Sequence, residues 1–499
     1  MRRLVDARLA VPAATAWVAA AVVQTWSPWH AAVLATGSVL AGVVGFAASR
    51  RGRTAMVVAA TCLGVAGGAA AMGMHVAALH RGPVASLADS EQTVELGMRL
   101  VRDPVEVHSH SGRRLVVADA TAFAVRRSDG SWQSSNAPVT MFAMTGPWIG
   151  LLPGQRLTVV ARLRPPRPGD LVAAVGFAVG PPRLVGSPPF WQRWAGSVRT
   201  ALRGACLGLD ADERGLVPGL VLGDVAAMPP DLTDAFRATG LTHLCAVSGA
   251  NVAIVVGAIL AAGRRAGLGR RWRLAAAVAI LPAFVILVRP SPSVLRAAVM
   301  GAVVLVAGFV GRRGTSLPVL SASVLLLVLV DPFLARSPGF AMSVLATGAI
   351  IVVAPAWTRR LSRRMPRTVA AAIAVPAAAQ LACTPVLVAA FGQLTPWAIP
   401  ANLLAAPAVA PATLAGICCA LVAVVAPGLA ALPAHVAGLA AGWLAIVART
   451  LTALPGAGLR GPSGWEGLAV LLAVAAAVAT VASAVARRRR REMLDPCPP

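Results

Sequence analysis

Between Gly219 and Val256 the chain sets polar side chains beside a long apolar run, in the order Asp224, Asp231, Asp234, Arg237, His243, Ser248 and Asn251. Carboxylates, a histidine and a serine are the ingredients of nucleophilic hydrolysis, which needs a base beside the nucleophile and a third group to orient the base. The serine, however, lies in Cys-Ala-Val-Ser-Gly (245–249) and lacks the G-x-S-x-G elbow, which argues against a triad of His243, Ser248 and an aspartate from 224–234. Polar groups at the start of a membrane helix have another use, because in lipid they must face a partner or a watered cavity. In an unbroken helix, steps of about 100° place Ser248 about 60° and His243 about 80° either side of Asn251. All three would then share one face and line an interior route; helix packing through Ser and Gly is the competing use.

Other chemistries lack their residues. His108-Ser-His110 has the first half of a metal-binding pattern without the following acidic and histidine ligands. The seven cysteines, at 62, 206, 245, 383, 418, 419 and 497, show no C-x-x-C spacing. No metal or cofactor is expected. The sequence contains neither an H-x-H-x-D-H cluster nor a G-x-x-x-x-G-K-[ST] phosphate loop, so neither a nuclease centre nor a nucleotide-driven motor is expected within it. From Leu241 to Arg491 the carboxylates are Asp331 and Glu466, both at expected helix ends. Ion-coupled carriers place carboxylates near the midplane. Here the same region offers Arg296, Gln380, Thr384, Gln393 and Asn402, a neutral-to-cationic set that would line a path for an anion without repelling it.

The elements that must position these groups are membrane helices. Of 499 residues, 57% are hydrophobic and 13% charged, and the mean hydropathy is +0.73, which excludes a soluble globular domain. Apolar runs of about 20 residues, the length that crosses lipid, fall near 11–26, 30–49 and 55–79, and again near 241–262, 273–288, 294–311, 316–330, 339–356, 368–391, 397–425, 430–452 and 464–486. That reads as about twelve spanning helices, with Pro407 and Pro411 breaking one of them into a candidate re-entrant segment. A net charge of +26 would suggest nucleic acid in a soluble protein, but membrane proteins gather cations in cytoplasmic loops for orientation. The arginines alternate accordingly. One face takes Arg2, Arg3 and Arg8, then 50–53, 264–273, 312–313, 359–367 and 487–491; the other takes Arg289, Arg336 and Arg460. Both termini are therefore expected on the cytoplasmic side, in a multi-pass protein of a bacterial cytoplasmic membrane.

The polar interval 81–196 is then extracytoplasmic, and it alternates as strands do at 93–101, 113–125, 139–144, 155–163 and 171–179. Five short strands with Gly/Pro turns such as Leu-Pro-Gly-Gln-Arg (152–156) suit a small OB-like β-barrel. The interval holds thirteen arginines against eight carboxylates, so Arg113, Arg114, Arg156 and Arg162, with Phe123 and Trp132 for base stacking, are the candidates for single-strand contact. The same aromatics could equally fill the barrel. The expected organisation is 1–80 with three helices, 81–196 as the β domain, 197–240 as an amphipathic or re-entrant connector, 241–486 with about nine helices, and an Arg-rich tail over 487–499. The fold class is thus an all-α polytopic membrane protein with an inserted OB-like barrel.

Several ordered blocks carry a family resemblance. They are Leu-Gly-Asp (222–224), A-F-R-A-T-G-L-T-H-L-C-A-V-S-G-A-N-V (235–252), S-P-S-V-L-R-A-A-V-M (291–300), D-P-F-L-A-R-S-P-G-F-A-M-S-V-L-A-T (331–347), and Q-L-A-C-T-P, F-G-Q-L-T-P and A-N-L-L-A-A-P within 380–407. With these the sequence resembles the ComEC family of competence proteins, and P-G-Q-R-L-T-V-V-A-R-L (153–163) is similar to that family's external OB-like domain. The resemblance implies an inner-membrane channel that admits one strand of transforming DNA. It implies as partners an external DNA receptor, a separate nuclease and a cytoplasmic ATP-driven translocase, and it leaves a homo-oligomer open. His243, Ser248, Asn251, Arg296 and Gln380 fall in the family's polar membrane motifs. Two departures stand out: Asn251 occupies a position where many members carry a second histidine, and the sequence ends shortly after Arg491 where many continue into a metallo-β-lactamase-like domain. A transporter of a smaller anionic or lipid-linked substrate on the same scaffold is the alternative expectation.

Overall fold

The structure is a computed structural model that describes residues 8–48, 53–108, 114–127, 129–167, 169–245, 249–290, 292–309, 316–473 and 476. Expectations that fall on Arg113, on Ser248 and on the 487–499 tail lie outside these residues. The chain begins with three apolar helices, α1 (Ala10–Val23), α2 (Pro28–Ala48) and α3 (Arg53–His80), then a short α4 (Pro83–Asp89). Seven strands follow: β1 (Thr93–Leu100), β2 (Val105–His108), β3 (Arg114–Arg126), β4 (Trp132–Met144), β5 (Arg156–Arg164), β6 (Ala174–Ala178) and β7 (Arg183–Val185). The connector forms α5 (Phe190–Ala205), α6 (Ala211–Leu222), α7 (Pro230–Ala238) and α8 (Thr242–Cys245). Then come α9 (Gly249–Arg265), α10 (Arg270–Val288), α11 (Pro292–Phe309), α12 (Ser316–Val330), a 3-10 turn over Pro332–Arg336, α13 (Pro338–Val352), α14 (Ala354–Leu361) and α15 (Arg367–Phe391). After β8 (Gln393–Leu394) the chain runs through α16 (Ala398–Val425) and α17 (Ala431–Thr452) to β9 (Leu459–Arg460).

The polytopic helical architecture forms, but span lengths are uneven. Six helices among the described residues are long and apolar enough to cross a membrane, and α13 with α14, bent by 43°, makes up to seven. Ala10–Val23, Ser293–Val306, Ser316–Val330 and Gly464–Ala473 are apolar but shorter; at about 1.5 Å per residue a 14-residue helix reaches only about 21 Å against a hydrocarbon core of about 30 Å. Over the expected span 241–262 the described residues form α8 and α9, and 246–248 lie outside the described residues. In the other direction, α16 runs without a break through Pro407 and Pro411, so the expected re-entrant break is not there. The indole of Trp443 on α17 donates to the carbonyl of Leu404, 2.8 Å away, just before the first proline.

The β region has seven strands where five were expected, β2 and β7 being the additions, and they form a sheet rather than the expected OB-like barrel. The strand order is β1-β3-β4-β6-β5-β7, with β2 on β3 and a further antiparallel pairing of β1 with β5 from Thr93↔Arg162 to Arg99↔Arg156. Alternation explains the faces: along β5, Leu157, Val159, Ala161 and Leu163 are buried while Arg156, Arg162 and Arg164 are exposed. Apolar side chains gather in three cores: one within the sheet, one among α1, α3 and α12, and one joining the connector to α9–α11, α16 and α17.

The β region is tied to the helices by a few polar contacts. Gln24, just past α1, donates through Nε2 to the carbonyl of Gly169 at 3.2 Å. Arg289, at the end of α10, grips Asp103 with two hydrogen bonds of 2.7 and 2.9 Å and also bonds Gln192 of α5.

Candidate functional site

The connector aspartates are absorbed by ion pairs. Gly223, with φ of 69°, ends α6 in the left-handed conformation that glycine adopts without strain. That turn buries Asp224 to 6% exposure beside α5, where Arg203 Nε lies 2.6 Å and Arg199 Nη2 3.6 Å from Oδ2. Arg199 is 9% exposed and also donates to the carbonyls of Leu222 (3.0 Å) and Leu287 (3.2 Å), so one guanidinium ties α5, α6 and α10 together. Burial pushes its pKa down, and Asp224 opposes that shift. Asp231 lies 2.7 Å from Arg449 Nη1, and Asp212 takes the same guanidinium on Nε and Nη2, each at 2.8 Å. That hydrogen bond holds the Asp231 carboxyl below the ordinary range. Asp234 pairs with Arg237 one turn on, at 2.5 Å, on an exposed face.

Of the three residues expected to share a face over 243–251, Ser248 lies outside the described residues, and His243 and Asn251 have different partners. His243 is exposed on α8, and its Nδ1 donates to the carbonyl of Gly240 at 3.0 Å, leaving Nε2 as the acceptor nitrogen. Asn251 is 4% exposed on α9 and donates through Nδ2 to the carbonyl of Leu220 at 3.0 Å. That carbonyl is one of the last of α6, where no further helical donor follows. Asn251 satisfies a helix end here, whereas His243 is exposed, so the two side chains meet different surroundings. With His243 Nδ1 on a carbonyl and Asp224 and Asp231 held by arginines, the Asp-His arm of a hydrolytic triad is also not formed. Among the described residues no group of three His, Cys, Asp or Glu side chains could hold a metal ion.

The T-G-L-T-H block explains itself as a helix stop. The amide of Gly240 donates to the Arg237 carbonyl (3.3 Å) and that of Leu241 to the Phe236 carbonyl (2.8 Å), closing α7 as a Schellman motif with Phe236 and Leu241 buried in one apolar core. Gly240 has φ of +71°, and a Cβ there would stand 2.9 Å from Ala398 Cβ and 3.4 Å from Thr395 Oγ1. Thr395, 8% exposed, in turn accepts from Gln380 Nε2 at 3.0 Å. The loop carrying His243 therefore rests on the F-G-Q-L-T-P turn, and Gln380 supports that turn from α15. Gln393 pairs opposite Arg460 in the β8–β9 ribbon. Asn402 bonds back to the carbonyl of Ala398 at 2.8 Å within its own helix.

Arg296 is the outlier of the set. It is 5% exposed on α11, and Nη1 reaches Thr347 Oγ1 at 3.1 Å and Met300 Sδ at 3.3 Å while Nη2 meets Ser343 Oγ. Ser293 and Ser343 hydroxyls lie 3.3 Å apart. Nε has no partner. Ser343 and Thr347, four residues apart on α13, were not singled out in the sequence, although an i, i+4 hydroxyl pair in so apolar a helix was a visible signal. Arg199, Arg203, Arg449 and Arg289 were likewise missed, since their acidic partners lie far along the chain.

On the sheet, Arg156 caps the Phe123 ring at 5.8 Å, with that ring laid over Gly97 of β1. A second such pair was not foreseen: Arg164 stands 5.4 Å over Phe177, itself stacked on Phe142 at 5.6 Å and 18°. Trp132 is 47% exposed, opposite Arg126. Arg114 pairs with Glu106 at 3.8 Å, and Glu91 takes Arg162 at 2.9 Å and Arg164 at 3.6 Å.

A family model described as Competence protein matches residues 220–486, a little over half of the chain. The chain is 28% identical over 213 residues to ComE operon protein 3 of Bacillus subtilis strain 168. That match covers 42% of this chain and 27% of the relative, so the chain spans well under two thirds of the relative's length. No solved structure matches the chain.

Proposed function

The chain belongs to the ComEC family of competence proteins, and from that premise we propose that it conducts a single strand of DNA across the bacterial cytoplasmic membrane. The observation that carries the reading is the pairing of cations with aromatic rings on the sheet, Arg156 over Phe123 and Arg164 over Phe177 with Phe142. Bases stack on such rings while guanidinium groups meet the phosphates, at about 1–3 kcal/mol per stacked base. In this reading the β region, a seven-stranded sheet, is extracytoplasmic. About twelve passes with both termini inside complete the topology, over the organisation 1–80, 81–196, 197–240, 241–486 and 487–499. His243, Ser248 and Arg296 line the route, Asn251, Gln380, Gln393 and Asn402 hold the helices and turns around it, and the Arg-rich loops at 264–273 and 359–367 receive the strand. An external receptor, a nuclease and an ATP-driven translocase act with it.

The test is entry of labelled DNA into the cytoplasm of cells carrying a clean deletion, complemented by wild type or by Phe123→Ala with Phe177→Ala at matched expression. Wild type is expected to restore entry and the double variant to lower it by about tenfold or more, from two lost stacking contacts. Unchanged entry in the deletion strain removes the DNA reading. One observation favours the alternative of a smaller anionic substrate: Asn251, Arg296 and Gln380 are engaged with protein groups, and cavities of about 390 and 340 Å³ lie at helix ends, the second lined by Arg264, Arg270 and Arg273.

A further inference from the structure

Arginine keeps its charge in proteins, so burying it is costly unless an anion or a full set of acceptors meets the guanidinium. Arg296 has neither. Its contacts are two hydroxyls and a thioether, which is a weak acceptor, and Nε is left without a partner. No carboxylate lies within ion-pair distance, and among the described residues from Leu241 onward the carboxylates are Asp331 and Glu466. Ser293, Met300, Ser343 and Thr347 are all half-buried, which puts the guanidinium one movable layer of side chains from accessible space.

We propose that Arg296, with the hydroxyls of Ser293, Ser343 and Thr347, forms a site for one phosphate-type oxyanion inside the helical region. The Met300 thioether holds the anion's place and swings aside when it arrives, as an unbranched and adaptable side chain can. This rests on the reading above for the source of the oxyanion, a phosphodiester of the passing strand, but the site itself is independent of it.

Two measurements separate the site from the reading. In the first, the full chain in lipid nanodiscs is melted in chloride and in inorganic phosphate at one ionic strength. Phosphate should raise the wild-type midpoint by about 2 °C or more, as any ligand of the folded state does. Arg296→Gln should abolish the shift and Arg296→Lys keep part of it. If Arg296→Gln does not fold, Ser343→Ala with Thr347→Val replaces it and should reduce the shift. An equal shift in wild type and the variants, or no shift in wild type, overturns the site. In the second, complemented deletion cells receive DNA carrying either phosphodiesters or a patch of neutral methylphosphonates. The neutral patch should lower entry severalfold with wild type and make no further difference with Arg296→Gln. A patch effect of the same size in both overturns the phosphodiester as the source. A phosphate shift that depends on Arg296, in a strain whose DNA entry survives the deletion, keeps the site and removes the DNA reading.

Discussion

Asp224 and Asp234 are both aspartates of the connector with an arginine partner, and they should respond differently to the same change. Asp224 is 6% exposed and holds Arg199, itself 9% exposed, together with Arg203. Asp224→Asn leaves a buried guanidinium without its carboxylate, for which about 3–5 kcal/mol is lost. Asp234 pairs with Arg237 in the open, and Asp234→Asn should stay within about 0.5 kcal/mol. Denaturation of the two variants in the same nanodiscs compares them directly. Glu213 supplies a pH dependence. Its carboxyl packs against Gly438 and Gly442 of α17, and burial, with Asp210 and Asp212 beside it, raises its pKa above 4.5 while His435 opposes the shift. A raised folded pKa contributes stability below the unfolded value, lost as pH rises through the folded one. Glu213→Gln should therefore raise the melting midpoint relative to wild type at pH 8 and change it little at pH 4; an equal gain at both would remove the assignment.

At the scale of elements, the connector works as a set of stops and clasps. Gly223 and Gly240 end α6 and α7 with positive φ, and Arg199 and Asn251 take carbonyls that the end of α6 leaves without donors. Gly240 has two constraints at once, its backbone angle and the contact with Ala398. Gly240→Ala should cost more than about 1 kcal/mol and lower DNA entry by displacing the His243 loop from the Thr395 turn; full stability in a denaturation series would count against both. The glycines and the apolar blocks were readable in the sequence because a helix stop is local. The partners were not: Gly240 meets Ala398 and Asn251 meets the Leu220 carbonyl only in the finished packing.

At the scale of the molecule, the β region and the helices meet through Arg289 and Gln24. Arg289 is only 15% exposed in its side chain and has a positive φ of 70°, unusual for a residue with a Cβ, so its bidentate grip on Asp103 holds a turn as well as a contact. Arg289→Ala should cost about 1.5–3 kcal/mol of that contact. Faster hydrogen exchange is expected over 101–104 and 190–193, with β5 unchanged; unaltered exchange at both segments would show that the junction is held elsewhere.

The sequence by itself determined the membrane class, the positions of most helices and the presence of a strand-rich insert. Apolar run length and alternation are properties of neighbouring residues, and lipid and the pleat act on them residue by residue. It also carried the family, through ordered blocks that fall at helix ends and turns. Only the tertiary structure decided which polar side chains remain free. Asp224 and Asp231 were candidates of the connector and Asn251 of an interior face, and they are engaged by Arg199, Arg203, Arg449 and the Leu220 carbonyl. Arg296 looked like one of several lining groups and is the buried cation left with an unpartnered donor. Such partners lie 20 to more than 200 residues apart, and no local spacing encodes who meets whom, because desolvation is settled by the finished packing.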